Sequence, residues 1–133
     1  MHAPRTITDQ DSRRLAEVVE LYEDKAGALA EALQRELERA VIVPSKAVEA
    51  SVVTMNSHVV CRDDHGTVRE VHVVYPQDAD ASAGRVSVLT PLGAALLGAR
   101  VGERVHVVGR GSARAWTIEE IRYQPEAAGD YHL

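Results

Sequence analysis

From Thr8 to Ala40 apolar residues recur with the period of a helix. Leu15, Val18, Val19 and Tyr22 fall at i, i+3, i+4 and i+7, which is one stripe along a cylinder. Thr8, followed three residues later by Asp11, has the form of a capping box and places the start of this helix. A second stripe runs through Leu29, Leu33, Leu37 and Ala40, with Glu and Arg on the other faces. The stretch EDKAG, Glu23 to Gly27, interrupts the period, and Gly27 suits a turn. Two short helices with a short connection fold back antiparallel, each covering the other's stripe, so the pattern predicts a helical hairpin. Pro44 ends the second helix.

From Ser57 the period changes to two. HVVCRDD and TVREVHVVY flank Asp64-His65-Gly66, a hairpin-turn composition. Asp78 to Gly84 is a polar loop, RVSVL a third strand, and ERVHVVG with ARAWTIEEIRY a second hairpin around Gly109 to Ser112. Between the third and fourth strands lies a short helix made of Gly, Ala and Leu. Thr90 is its N-cap, Pro91 takes the first helical position and Gly98 ends it. Gly93, Ala94 and Ala95 let that helix approach the sheet closely. The expected fold is α+β: a short N-terminal antiparallel helical hairpin over residues 1–43, then an antiparallel sheet with one short helix over residues 44–133.

Composition narrows the chemistry. The 133 residues are 45% hydrophobic but include no Phe and one Trp, so the core is built from Val, Leu, Ile and Ala. The formal net charge is -5 and the Arg residues form no dense run, which disfavours direct contact with DNA or RNA. Cys61 is the only cysteine, which excludes an internal disulfide and fits a reducing compartment. No apolar run approaches the ~20 residues of a membrane span, and MHAPRTITDQDS lacks a signal-peptide core. The expected location is cytoplasmic.

Candidate chemistry is sparse. His58 and His65 lie near His72, and VHVV occurs twice, but each His alternates with Val as on the solvated side of a strand. Neither a metal site nor any other cofactor is expected. Cys61 has no local His or Lys partner and reads as a small buried hydrophobe; Trp116 reads as core. No Walker loop, dinucleotide fingerprint or Ser/His/Asp spacing points to an enzyme.

Three stretches, SVLTPLGAALLGARVGERV (87–105), VVTMNSHV (52–59) and YQPEAAGDY (123–131), resemble the bacterial regulators of nucleoside diphosphate kinase. That family sits within the superfamily of Gre transcript-cleavage factors. The resemblance covers essentially the whole chain and implies an FKBP-like C-terminal domain behind a short coiled coil. It also implies docking on RNA polymerase at the rim of the secondary channel, in competition with Gre-type cleavage factors, with nucleoside diphosphate kinase as a second candidate partner. By the same resemblance Leu89, Thr90, Pro91 and Leu92 form the docking loop, where Gre factors read acidic-Ser-Pro and this chain has Leu89 in the acidic place. Glu23, Asp24 and Lys25 form the hairpin tip, where cleavage factors hold a catalytic magnesium of the polymerase. Each helix here has ~14 residues, about 20 Å at ~1.5 Å per residue, shorter than a Gre arm, so transcript cleavage is not expected. The alternative is a prolyl isomerase or chaperone module of FKBP type, against which the scarcity of aromatics counts. Pro125, Gly129 and Asp130 mark the tail as an ordered turn.

Overall fold

A computed structural model describes residues 4–109 and 112–133. Its two N-terminal helices are α1, Asp9–Tyr22, and α2, Gly27–Arg39, packed on each other as the hairpin the two stripes predict. Thr8 caps α1, its Oγ1 accepting the Asp11 N–H at 3.0 Å. Leu15, Val18 and Val19 are buried with Tyr22 packed beside them. On α2 Ala30 and Leu33 are buried with Leu37 packed beside them, whereas Leu29 is 41% exposed. A helix starting at Gly27 turns Ala30, whose single methyl permits close approach, toward α1 and leaves Leu29 on the flank.

A feature that alternation did not reveal brackets the hairpin. β1, Thr6–Thr8, runs into α1, and β2, Val41–Val43, leaves α2; the two pair in parallel, Ile7 against Ile42. These three-residue strands clamp the root of the hairpin. Arg5, only 6% exposed, adds a 2.8 Å ion pair to Glu103 on the far side of the chain.

The larger sheet contains β3 (His58–Asp63), β4 (Val68–Val74), β5 (Arg85–Ser87), β6 (Arg104–Gly109) and β7 (Ser112–Tyr123), in the order β5-β4-β3-β7-β6. The antiparallel expectation needs correction, because β5 pairs with β4 in parallel. Residues 75–84 bring the chain back to the level of His72, so that β5 runs beside the last three residues of β4, and period-two alternation identifies a strand without fixing its direction. The expected turn between β6 and β7 falls partly on residues 110 and 111, outside the described residues. Cys61, Val71, Val88, Val105, Trp116 and Ile118 join Leu15 and Leu33 in one continuous core, so hairpin and sheet share their apolar interior.

α3, Pro91–Leu96, lies over this core with Leu92 and Leu96 buried. Its small residues are not equivalent. Ala94 and Ala95 are half-buried, but a Cβ at Gly93 would stand 2.2 Å from the Ser87 carbonyl oxygen. The helix start rests directly on the backbone of β5's end. Gly93→Ala should therefore lower stability by about 3 kcal/mol or more, since backbone rather than a mobile side chain must yield. Gly27→Ala, where nothing lies within 4 Å, should cost nothing. Thermal melting of the two variants checks the pair.

Candidate functional site

The Leu89–Leu92 loop is built by local hydrogen bonds. The Ser87 hydroxyl accepts the Leu89 N–H at 3.1 Å, and Thr90 Oγ1 donates to the Ser87 carbonyl at 2.7 Å while accepting the Gly93 N–H at 3.2 Å. Thr90 is thus the cap its sequence position predicts. Of the four candidate docking residues, Leu89 and Leu92 are 7% and 8% exposed and belong to the core, Thr90 is half-buried, and Pro91 is exposed. What this loop shows to solvent is Pro91 on a Thr90 shoulder.

Glu23, Asp24 and Lys25 form an exposed turn at the other end of α1. The hairpin does not bring them to the 89–92 loop. Leu21, just before the turn, is 72% exposed, an apolar position that the stripe reading passes over because it lies outside the i, i+3, i+4 set.

Between these surfaces lies a buried polar joint that sequence reasoning missed. Met55 and its neighbours form a tight turn: the Thr54 N–H meets Ser57 Oγ at 3.0 Å, the Ser57 N–H meets the Thr54 carbonyl at 3.1 Å, and Asn56 adopts a left-handed φ of 66°. This turn aims the Met55 N–H at α1, where Asp11 Oδ2 accepts it at 3.1 Å. Asp11 reads as the second member of a capping box, yet its carboxylate crosses to the sheet side of the molecule and is 2% exposed. Thr54 Oγ1 donates to Glu126 Oε1 at 2.7 Å, bringing a second carboxylate to the joint. Burial, reinforced by the charge of Glu126, pushes the Asp11 pKa up to about 6, against the Met55 N–H, which favours the ionised form. The only hint in the sequence was an acidic residue on the apolar side of the Leu15 stripe.

The remaining candidates behave as core or surface. Cys61 is fully buried, its thiol pushed up to about 11 by burial, and Trp116 is 3% exposed inside the core rather than walling a pocket. His58 and His72 stack with ring centroids 4.3 Å apart, and His58 Nε2 lies 3.1 Å from Glu70 Oε1. Among the described residues no group of three or more His, Cys, Asp or Glu is placed to hold a metal ion. On the sheet's exposed face Arg62 pairs with Glu119, Arg104 with Asp64 and Arg122 with Glu70. No described helix is long and apolar enough to cross a membrane.

A short helical hairpin joined to a curled mixed sheet with one small helix defines a Gre-type factor. Residues 48–123 match the family described as transcription elongation factor GreA/GreB, C-terminal part, and residues 6–43 match the Rnk N-terminus. The regulator of nucleoside diphosphate kinase of Escherichia coli K12 is 41% identical over 129 residues, covering 96% of this chain and 95% of that protein. The transcription elongation factor GreA of Azorhizobium caulinodans is 31% identical over 105 residues, 78% of this chain but 66% of its own length. Among solved structures, a prokaryotic transcription elongation factor GreA/GreB from Nitrosomonas europaea superposes with a TM-score of 0.76 at 32% identity, covering 90% of this chain and 99% of that one. The chain belongs to the GreA/GreB family, in the branch with an Rnk N-terminus whose members are named regulators of nucleoside diphosphate kinase. The isomerase alternative finds no support in these relationships.

The raised pKa of Asp11 has a measurable sign. Between about pH 4 and 6 the folded chain retains a proton that the unfolded chain has released, so stability falls as pH rises through this window. A shift of about two units corresponds to about 3 kcal/mol. Asp11→Asn, which keeps an acceptor for the Met55 N–H, should remove this slope and melt higher than the parent at pH 8. Melting curves from pH 4 to 8 on both proteins test it.

Proposed function

We propose that the protein is a non-enzymatic, cytoplasmic regulator that docks at the rim of the RNA polymerase secondary channel and competes there with Gre-type cleavage factors. The observation that carries this reading is the arm: a 14-residue α1 ending in an exposed acidic turn, on a body related to GreA. At ~1.5 Å per residue the arm extends about 20 Å, which favours occupying the channel mouth over delivering Glu23 and Asp24 to a buried magnesium. That the chain matches only 66% of a GreA's length points the same way.

The loop carrying Thr90 and Pro91, with Leu89 and Leu92 supporting it from beneath, is the proposed grip on the polymerase, and Glu23, Asp24 and Lys25 are the proposed tip contacts. The net charge of -5, with Arg62, Arg104 and Arg122 each paired to a carboxylate, favours contact with protein rather than DNA. The name of the Escherichia coli relative makes nucleoside diphosphate kinase a second partner to include in the same measurements.

Competition with a labelled GreA for core polymerase tests the reading. Displacement by the parent chain is expected, with Pro91→Glu weakening it about tenfold, or ~1.4 kcal/mol, without lowering the melting temperature. Leu89 and Leu92 are unsuitable probes, because polar replacements there would disturb the core. In backtracked elongation complexes no cleavage above background is expected. Cleavage abolished by Glu23→Ala with Asp24→Ala would overturn the arm argument, and absence of displacement would overturn the docking.

A further inference from the structure

Residues 124–133 lie beyond both family matches, since the GreA/GreB match ends at Tyr123. They touch three separate parts of the molecule. Gln124 is 3% exposed; its Nε2 donates to the carbonyls of Glu49 and Val52 at 2.8 and 2.7 Å, and its Oε1 accepts the Ala127 N–H at 3.1 Å. This starts α4, Pro125–Ala128, and delivers Glu126 to the Thr54 hydroxyl. Gly129, at φ 81°, then reverses the chain, and Asp130 accepts the Tyr123 hydroxyl. Past this point the segment reaches α1: Arg14 donates to the His132 carbonyl at 3.4 Å and Gln10 to the main-chain oxygen of Leu133 at 3.5 Å. Lys46, at the exit of the hairpin, stands 5.7 Å over the Tyr131 ring.

We infer that residues 124–133 are a strap that holds the helical arm at a fixed angle to the body. One end is anchored in the body by a buried amide with all three of these bonds satisfied. The other end lies on the flank of α1 that carries Gln10 and Arg14, beside the stripe that packs into the core. The far contacts are long, exposed and individually weak, so this end can release while the anchored end stays in place. His132 and Leu133 also wall a cleft of about 700 Å³ between α1 and the Tyr75–Asp78 segment, which release would open along the arm. Both acceptors on the strap are main-chain oxygens. The grip therefore depends on the Gln10 and Arg14 side chains and on the presence of the chain, not on the identity of residues 132 and 133. This inference is independent of which partner the protein binds.

Distance measurement between spin labels at Asp24→Cys and Thr67→Cys, both exposed sites, tests it on the full chain; buried Cys61 takes no label. The parent should give one narrow distribution. A chain ending at Ala128, and separately Gln10→Ala with Arg14→Ala, should broaden and shift it while circular dichroism shows an intact fold. His132→Ala with Leu133→Ala should leave it narrow. If the side-chain double variant keeps the parent distribution, the strap is overturned, whether or not the shortened chain folds. Broadening by the His132 and Leu133 replacements would overturn the account in which main-chain oxygens are the acceptors.

Discussion

One hydrogen bond across the junction, from the Met55 N–H to the Asp11 carboxylate, sets how the helical arm meets the sheet. Apolar stripes alone would let the hairpin slide or rotate on the body, since hydrophobic contact has no direction. A buried carboxylate does have direction. Leaving Asp11 or the Met55 N–H unpaired at 2% and 1% exposure would cost several kcal/mol, so geometries that break this bond are disfavoured, while the angle of the arm about it is left to the surrounding restraints. The Thr54–Ser57 turn and the left-handed Asn56 fix the donor, and the capped first turn of α1 fixes the acceptor.

Around that bond the remaining restraints fall into place. The parallel β1–β2 pair closes the root of the hairpin, and the Arg5–Glu103 ion pair ties the entering strand to the loop before β6. Glu126 approaches the same joint from the tail through Thr54. The arm thus projects from a shared core rather than from a linker. For the proposed docking, which uses the acidic tip and the Pro91 loop together, a fixed spacing would remove an ordering cost from association.

Much of this architecture is legible in the sequence. The helical stripes, the Thr90-Pro91 cap and the alternating strands are local patterns, each dictated by a period or a single residue's chemistry. Leu29 shows the limit of periodicity: two adjacent apolar residues, Leu29 and Ala30, both fit a stripe, and packing chose the smaller. The parallel β5 and the short β1–β2 pair depend on where distant segments meet, which no local pattern encodes. The loop at residues 89–92 shows the same division. Its capping was readable, but the burial of Leu89 and Leu92 followed from the tertiary core, which leaves Pro91 as the outward feature. Asp11 was visible as half of a capping box, and its real partner lies 44 residues away.

Amide hydrogen exchange at Met55 tests the central claim most directly. If the Asp11 bond fixes the arm, the Met55 amide should exchange only through global unfolding, with protection matching the slowest amides of β3 and β7, and should lose that protection in Asp11→Ala. Exchange at Met55 as fast as at the hairpin tip, in a protein whose sheet amides remain protected, would show that arm and body separate freely and would contradict the account.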